Sequence, residues 1–316
     1  MKTLITGGAG FIGSQIAEAL CRKGASVVVL DNLSSGKLEN LAWRKNGDSL
    51  DFIEGDVCDK SLIAKLVLGC DCVCHHAAIA SVPYSVEHPE ETNRVNLDAT
   101  LNLLIASLQA KAKRFVFASS SAVYGNSDAP YKKESDLPRS LSPYALQKYS
   151  AEQYVRMFYS LYGLETVAFR YFNVFGPRQD FNSAYSGVIA RFCTQLLAGK
   201  TPTIFGDGSQ SRDFVAVQNV VNANILAMER PAGSVAGHVF NIGTGQAITL
   251  LELLDEISRQ TGFTVRPEFA PARAGDVKSS QADISLARER LTFGVSVPFE
   301  EGLSRTLDFY RASRPA

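Results

Sequence analysis

Along the first half of the chain, short apolar runs bounded by turn residues alternate with longer stretches whose apolar positions recur every three to four residues. The runs predict strands over 2–6, 26–30, 51–54, 71–75, 114–118 and 165–170. The longer stretches predict helices over 11–22, 60–68, 92–109 and 143–162. Strands alternating with helices in this way pack as a parallel sheet covered on both faces, with the ligand crevice beyond the carboxyl ends of the strands.

Past Tyr171 the pattern shortens, and loops such as Gly176-Pro177 and Gly206-Asp207-Gly208 separate small elements. A further helix is announced at Thr249-Leu250-Leu251-Glu252, which has capping-box spacing. The expectation is therefore an α/β chain: a doubly wound parallel (Rossmann) sheet with a smaller α/β substrate lobe. Residues 1–170, with about 213–240, form the dinucleotide-binding part, and 171–212 with 241–316 form the lobe.

Composition narrows the functional classes. The 316 residues carry 32 Lys plus Arg against 32 Asp plus Glu. No net field draws the chain to nucleic acid or to an anionic membrane, and neither is expected as a partner. The first apolar run is broken at Gly7, too early for a signal peptide. No apolar stretch approaches the ~20 residues of a membrane-spanning helix, so a cytoplasmic location is expected. Cys70, Cys72 and Cys74 alternate along an apolar stretch, as buried reduced thiols on one strand face would, and lack the wider gaps of metal-binding pairs. The four His are read as core or loop residues, and no metal is expected.

Chemistry enters at Gly7-Gly8-Ala9-Gly10-Phe11-Ile12-Gly13, between the first strand and first helix. Gly7 and Gly10 allow a tight turn and close approach of the backbone to a pyrophosphate, Gly13 allows close helix packing, and the helix N-terminus supplies donors. Asp31, at the end of the second strand, is placed to accept bonds from the adenosine ribose and to repel a 2′-phosphate, favouring NAD over NADP. Asp56 and Val57 follow the third strand and suit the adenine, with an ordinary turn role open for Asp56.

Tyr144 and Lys148 open the helix after Pro143, and a spacing of four puts phenol and ammonium on one face. A free tyrosine has a pKa near 10, and a nearby cation favours its phenolate, the form able to act as a proton shuttle. The serine-rich turn Ser119-Ser120-Ser121 at the end of the fifth strand offers a hydroxyl to the same place.

These segments, with Asp31-Asn32-Leu33, His76-Ala77-Ala78, Arg170-Tyr171-Phe172-Asn173-Val174, Ser211-Arg212-Asp213 and Arg273-Ala274-Gly275-Asp276, resemble the UDP-glucose/UDP-N-acetylglucosamine 4-epimerase family of extended short-chain dehydrogenases/reductases nearly end to end. The resemblance implies NAD as cofactor, held also by Phe11, Ile12, Asn32, Ser34, Ser35, Gly36, Ala77, Ala78 and Tyr171, with Tyr144 and Lys148 joining in. It implies Ser120 as the catalytic hydroxyl, with Ser121 as the alternative, and Lys148 as the group that depresses the Tyr144 pKa.

It also implies a UDP-sugar gripped through its nucleotide: Asn173 at a phosphate, Phe205 against uracil, Arg212 on the pyrophosphate, and Arg273 with Asp276 on phosphate and ribose. Ser81, Val82, Tyr185, Gly187 and Val188 border the substrate. Ser280 matches a position where a small residue leaves room for a 2-acetamido group, pointing to UDP-N-acetylglucosamine and UDP-N-acetylgalactosamine, with the plain UDP-hexoses also admitted. A homodimer joined by a four-helix bundle of 92–109 and 144–162 is implied as well.

Related dehydratases carry an Asp-Glu pair after the catalytic hydroxyl, and decarboxylases a Glu; here Ser121 and Ala122 stand there. That favours oxidation and return at C4 over elimination or decarboxylation. The alternatives are another nucleotide-sugar enzyme on this scaffold (dehydratase, decarboxylase or reductase) and a non-catalytic NAD sensor.

Overall fold

The computed structural model describes residues 1–127, 129–180, 187–263, 265–272 and 277–313. The first half runs β1 (Lys2–Thr6), α1 (Phe11–Arg22), β2 (Ser26–Asp31), β3 (Leu50–Glu54), α2 (Lys60–Val67), β4 (Cys72–His75), α3 (Val82–Glu87), α4 (Pro89–Asn93), α5 (Ala99–Gln109), β5 (Arg114–Ser120), α6 (Pro143–Tyr162) and β6 (Glu165–Tyr171). The remainder runs β7 (Asn173–Phe175), α7 (Val188–Leu197), β8 (Thr203–Phe205), β9 (Ser211–Arg212), β10 (Phe214–Ala216), α8 (Val217–Glu229), α9 (Ala232–Val235), β11 (His238–Ile242), β12 (Ile248–Thr249), α10 (Leu250–Thr261), β13 (Glu268–Ala270), β14 (Ser279–Ser280) and α11 (Phe299–Ala312).

Seven strands form one parallel sheet in the order β11-β6-β5-β4-β1-β2-β3. Successive strands depart in opposite directions from β1 and β4, which opens a crevice between their carboxyl ends. On one face, Ile5, Val29, Cys74, Val116 and Phe169 pack with Ile16 and Leu20 of α1 and with Val220 and Ala223 of α8. On the other, Leu4, Val73, Phe115 and Phe117 meet α2, α5 and α6 through Ile63, Leu103 and Val155. A third cluster lies outside the sheet, where α7, α10 and α11 close over Phe175, Ile204 and Phe214.

All six expected strands and the capping box at Thr249 and Glu252 are present. Three details differ from the sequence reading. β11 adds a seventh strand whose short His-Val-Phe-Asn-Ile run hides its apolar character behind polar residues. The helix expected over 92–109 is interrupted by a π-turn at Arg94–Asp98, a local widening frequent at functional sites. Cys70 precedes β4 and packs on the opposite side of the sheet from Cys72 and Cys74, so the three thiols do not share one face.

α6 shows why its sequence starts and stops where it does. The Ser142 side chain accepts from the Ala145 amide, Pro143 fills a first-turn position where a missing N–H costs nothing, and Gly163 ends the helix at φ 73°. Leu146, Met157, Leu161 and Tyr162 of α6 and Ile105 of α5 remain exposed. No described helix is long and apolar enough to cross a membrane.

Candidate active site

The turn after β1 leaves no space for side chains. A Cβ on Gly7, whose φ is +69°, would lie 2.6 Å from the Ala77 amide nitrogen, and one on Gly13 would lie 2.3 Å from the Gly7 carbonyl oxygen. No side chain caps α1. The N–H groups of its first turn, with Phe11 and Ile12, are therefore available to an anion at the crevice, so these residues fit a dinucleotide pyrophosphate.

Asp31 is buried and oriented: its carboxylate accepts from the Ala9 amide at 2.9 Å and from the Leu33 amide at 2.9 Å. Gly36 packs against it, with room only for hydrogen where a Cβ would meet Asp31 Oδ1 at 2.6 Å. Asn32 Oδ1 holds the Ser34 amide and hydroxyl at 3.1 and 2.8 Å, shaping the loop that continues through Ser35. Asp56 accepts from the Cys58 amide at 2.8 Å, the turn role left open above, while Val57 is buried beside it.

The neighbouring loop starts at buried His75 and half-buried His76. His75 lies between Thr6 Oγ1 at 2.7 Å and Thr100 Oγ1 at 2.9 Å. Because Thr100 already donates to the Asn96 carbonyl, it accepts from His75 Nε2, which fixes a neutral tautomer in line with the strong downward push of burial on this imidazole. The Tyr171 hydroxyl accepts from Asn224 at 2.7 Å and lies 3.1 Å from His76 Nε2, so this phenol points into the core.

β5 and the turn after it bring Ser119, Ser120 and Ser121 to the sheet edge beside the first turn of α6. The Tyr144 phenol faces the Ser120 hydroxyl, whose Oγ accepts from the Ala122 amide at 3.1 Å. Lys148 Nζ donates to the Ala118 carbonyl at 2.8 Å and lies 5.0 Å from the centre of the Phe117 ring.

Burial raises the Tyr144 phenol above its ordinary range, with Ser120 acting against it, and burial pushes Lys148 down to about 7. Desolvation disfavours the charged form of both groups, which share the first turns of α6.

A cavity of about 240 Å³ in the second half of the chain gathers Asn173, Val188, Arg191, Phe205, Gln210 and Arg212. Arg212 and Ser280 are register partners on β9 and β14. Gly187 precedes α7, Ser81 caps α3 by accepting from the Tyr84 amide at 3.2 Å, and Val82 is exposed. Tyr185, Arg273 and Asp276 lie outside the described residues. Among the described residues no His, Cys, Asp or Glu cluster is suited to a metal ion.

Several residues not singled out from the sequence belong to this arrangement. Asp213, fully buried, accepts from the Thr244 amide and hydroxyl, both at 2.7 Å, the Gly245 amide at 2.9 Å and the Ala282 amide at 3.1 Å, anchoring the segment after Ser280. Arg191 lies 6.0 Å from the Phe205 ring centre. Asn96 sits within the π-turn, and Gln147 stands between Tyr144 and Lys148. A polar residue inside an otherwise apolar helical pattern was the available signal for Asn96.

The chain as a whole is similar to known proteins. The chain is 41% identical to UDP-glucose 4-epimerase of Mycolicibacterium smegmatis over 98% of its length and 99% of the relative's. It is 33% identical to UDP-N-acetyl-alpha-D-glucosaminuronate decarboxylase of Bacillus cytotoxicus, covering 98% of each. Its fold superposes with a TM-score of 0.94 on UDP-N-acetylglucosamine 4-epimerase from Methanobrevibacter ruminantium M1 in complex with UDP-N-acetylmuramic acid, at 42% identity and 99% coverage of both chains. Residues 3–243 match the NAD dependent epimerase/dehydratase family, and the chain belongs to that family.

Proposed function

We propose that the protein is an NAD-dependent UDP-sugar 4-epimerase that acts on UDP-N-acetylglucosamine and UDP-N-acetylgalactosamine and also admits the plain UDP-hexoses. The observation that carries the reading is a half-buried tyrosine whose phenol faces Ser120, with Lys148 one turn away, at the sheet edge beside a glycine-rich turn whose helix has no side-chain cap. Residues 1–170 with about 213–240 would hold the dinucleotide, and 171–212 with 241–316 the UDP-sugar.

Held at the glycine-rich turn, the dinucleotide would supply reversible hydride acceptance for oxidation and return at C4. Tyr144 would take the proton from the sugar O4 and give it back in the return step. Ser120 donates to the reacting oxygen and holds the phenol, and Lys148 orients the site from the Ala118 carbonyl. Asn173, Phe205, Arg212, Arg273 and Asp276 hold the nucleotide while the hexose turns over. Arg suits the pyrophosphate because its donors are paired, planar and charged.

The decarboxylase relative keeps a second chemistry in view, but that reaction needs an acidic substrate and a carboxyl group where this chain has Ser121 and Ala122. The test is incubation with UDP-glucose, UDP-galactose and their N-acetylated counterparts, followed by NMR of the anomeric protons. Epimers of unchanged mass with no net cofactor reduction are expected from all four. Interconversion of the two plain sugars alone overturns the acetylated assignment, and no interconversion overturns the epimerase reading. Ser280→Tyr is expected to lower kcat/KM for the acetylated sugars at least about tenfold relative to the plain ones.

The exposed apolar side chains of α5 and α6 support pairing of two copies through a four-helix bundle. Sedimentation is expected to give twice the 34.3 kDa chain mass, and a monomer at micromolar concentration ends this proposal.

A further inference from the structure

The stretch 77–85 runs from the alanines assigned to the cofactor to the Ser81-Val82-Pro83 turn assigned to the hexose, and buried side chains tie it to the catalytic helix at two points. At the first, Asn96 clasps both polar groups of one peptide residue: its Oδ1 accepts from the Ile79 amide at 2.9 Å and its Nδ2 donates to the Ile79 carbonyl at 3.2 Å. The same Nδ2 reaches Gln147 Oε1 at 3.0 Å. Gln147 Nε2 in turn donates to Thr92 Oγ1 at 2.9 Å and the Pro89 carbonyl at 3.4 Å.

At the second point, Ser85 Oγ accepts from the Tyr144 amide at 3.1 Å and donates to the Val82 carbonyl at 2.7 Å. Tyr144 lies in the first turn of α6, where amides have no partner within the helix, and the Ser142 cap serves Ala145 instead. The orphan amide of the proposed proton shuttle is thus met by a hydroxyl that also grips the hexose turn. Ser85, Asn96 and Gln147 are all buried, so these bonds have no water to replace them.

We propose that Ser85 and Gln147 are positioning residues that index the hexose turn to the Tyr144 phenol. The proposal rests on the epimerase reading above. Epimerisation makes an unusual demand on such alignment, because one phenol must serve O4 with the sugar presented by either face. A displacement of about 1 Å at a reacting centre costs on the order of 100-fold in rate. If the two faces are misaligned unequally, oxidation outruns return and reduced cofactor accumulates.

The experiment compares wild type, Ser85→Ala and Gln147→Glu as dinucleotide-loaded proteins with UDP-glucose. It reads kcat, KM, absorbance of the reduced nicotinamide during turnover, and melting temperature. Expected for Ser85→Ala is a kcat lower by roughly 10- to 100-fold, KM within about threefold, and reduced cofactor above the wild-type steady state. Gln147→Glu keeps the shape but turns a carboxylate oxygen toward the Pro89 carbonyl, and is expected to give the same signature. It carries the test if Ser85→Ala does not fold.

Wild-type kcat in a folded variant, or a loss wholly in KM with no extra reduced cofactor, overturns the positioning role. A wild type inactive on UDP-glucose and on UDP-N-acetylglucosamine alike overturns the epimerase reading instead.

Discussion

Replacing Tyr144 by Phe lowers epimerisation by a factor on the order of 10² to 10⁴, the usual weight of a general acid–base group, while UDP-sugar affinity stays within a few-fold of wild type. The ring is retained, so its packing at the head of α6 survives, and the Tyr144 amide keeps its bond to Ser85. What is lost is the hydroxyl that faces Ser120 and with it the proposed site of proton exchange. Burial acts against the charged form of the phenol and of Lys148, which it pushes down to about 7. Stopped-flow turnover and equilibrium binding of UDP-sugar by the same preparation decide the matter: a Phe variant with wild-type kcat and KM removes Tyr144 from the mechanism, and one with wild-type kcat but a raised KM and weak UDP-sugar binding assigns it to recognition.

Much of this was legible because the signals are local. Gly7, Gly10 and Gly13 carry a backbone requirement in the residue type itself, and the 11–22 and 143–162 helices announce themselves by period, the second also by its caps. Ser120, Tyr144 and Lys148 could be paired from strand end and helix spacing. What was not legible depends on contacts distant in sequence. Asp213 serves amides at 244, 245 and 282, and Ser85 serves an amide 59 residues away, so neither has a sequence neighbour that reveals its partner. β11 was missed because a strand buried by its neighbours need not alternate cleanly. The downward shift of Lys148 has a similar origin, since spacing fixes that two groups are close but not how little water surrounds them.

Glu152 provides the largest expected effect on stability. Its carboxylate is fully buried and receives the Arg170 guanidinium through two bonds, Nε at 2.9 Å and Nη2 at 2.7 Å, together with the Ser119 hydroxyl at 2.9 Å. In Glu152→Ala the Arg170 cation would remain at 3% exposure, left with the Tyr124 ring at 4.8 Å and a long bond to the Glu134 carbonyl at 3.4 Å. Breaking a buried pair from one side costs about 3–5 kcal/mol, because an uncompensated charge stays behind. For a chain of this size that corresponds to a melting temperature lower by on the order of 10 °C.

The exposed Lys23–Glu229 pair provides the contrast: its loss is worth roughly 0–1 kcal/mol, since water replaces either partner. Removing both buried charges, as in Glu152→Leu with Arg170→Met, should recover much of the loss, because the penalty belongs to the stranded guanidinium more than to the absent attraction. Calorimetry of the three variants separates these cases, and a Glu152→Ala melting point within a degree or two of wild type would show that water reaches Arg170. Ser119 then gives the pair its functional reach: with Glu152 gone, its hydroxyl loses the acceptor that fixes the end of β5, one residue before Ser120. The single variant should therefore lose activity at temperatures well below its melting point.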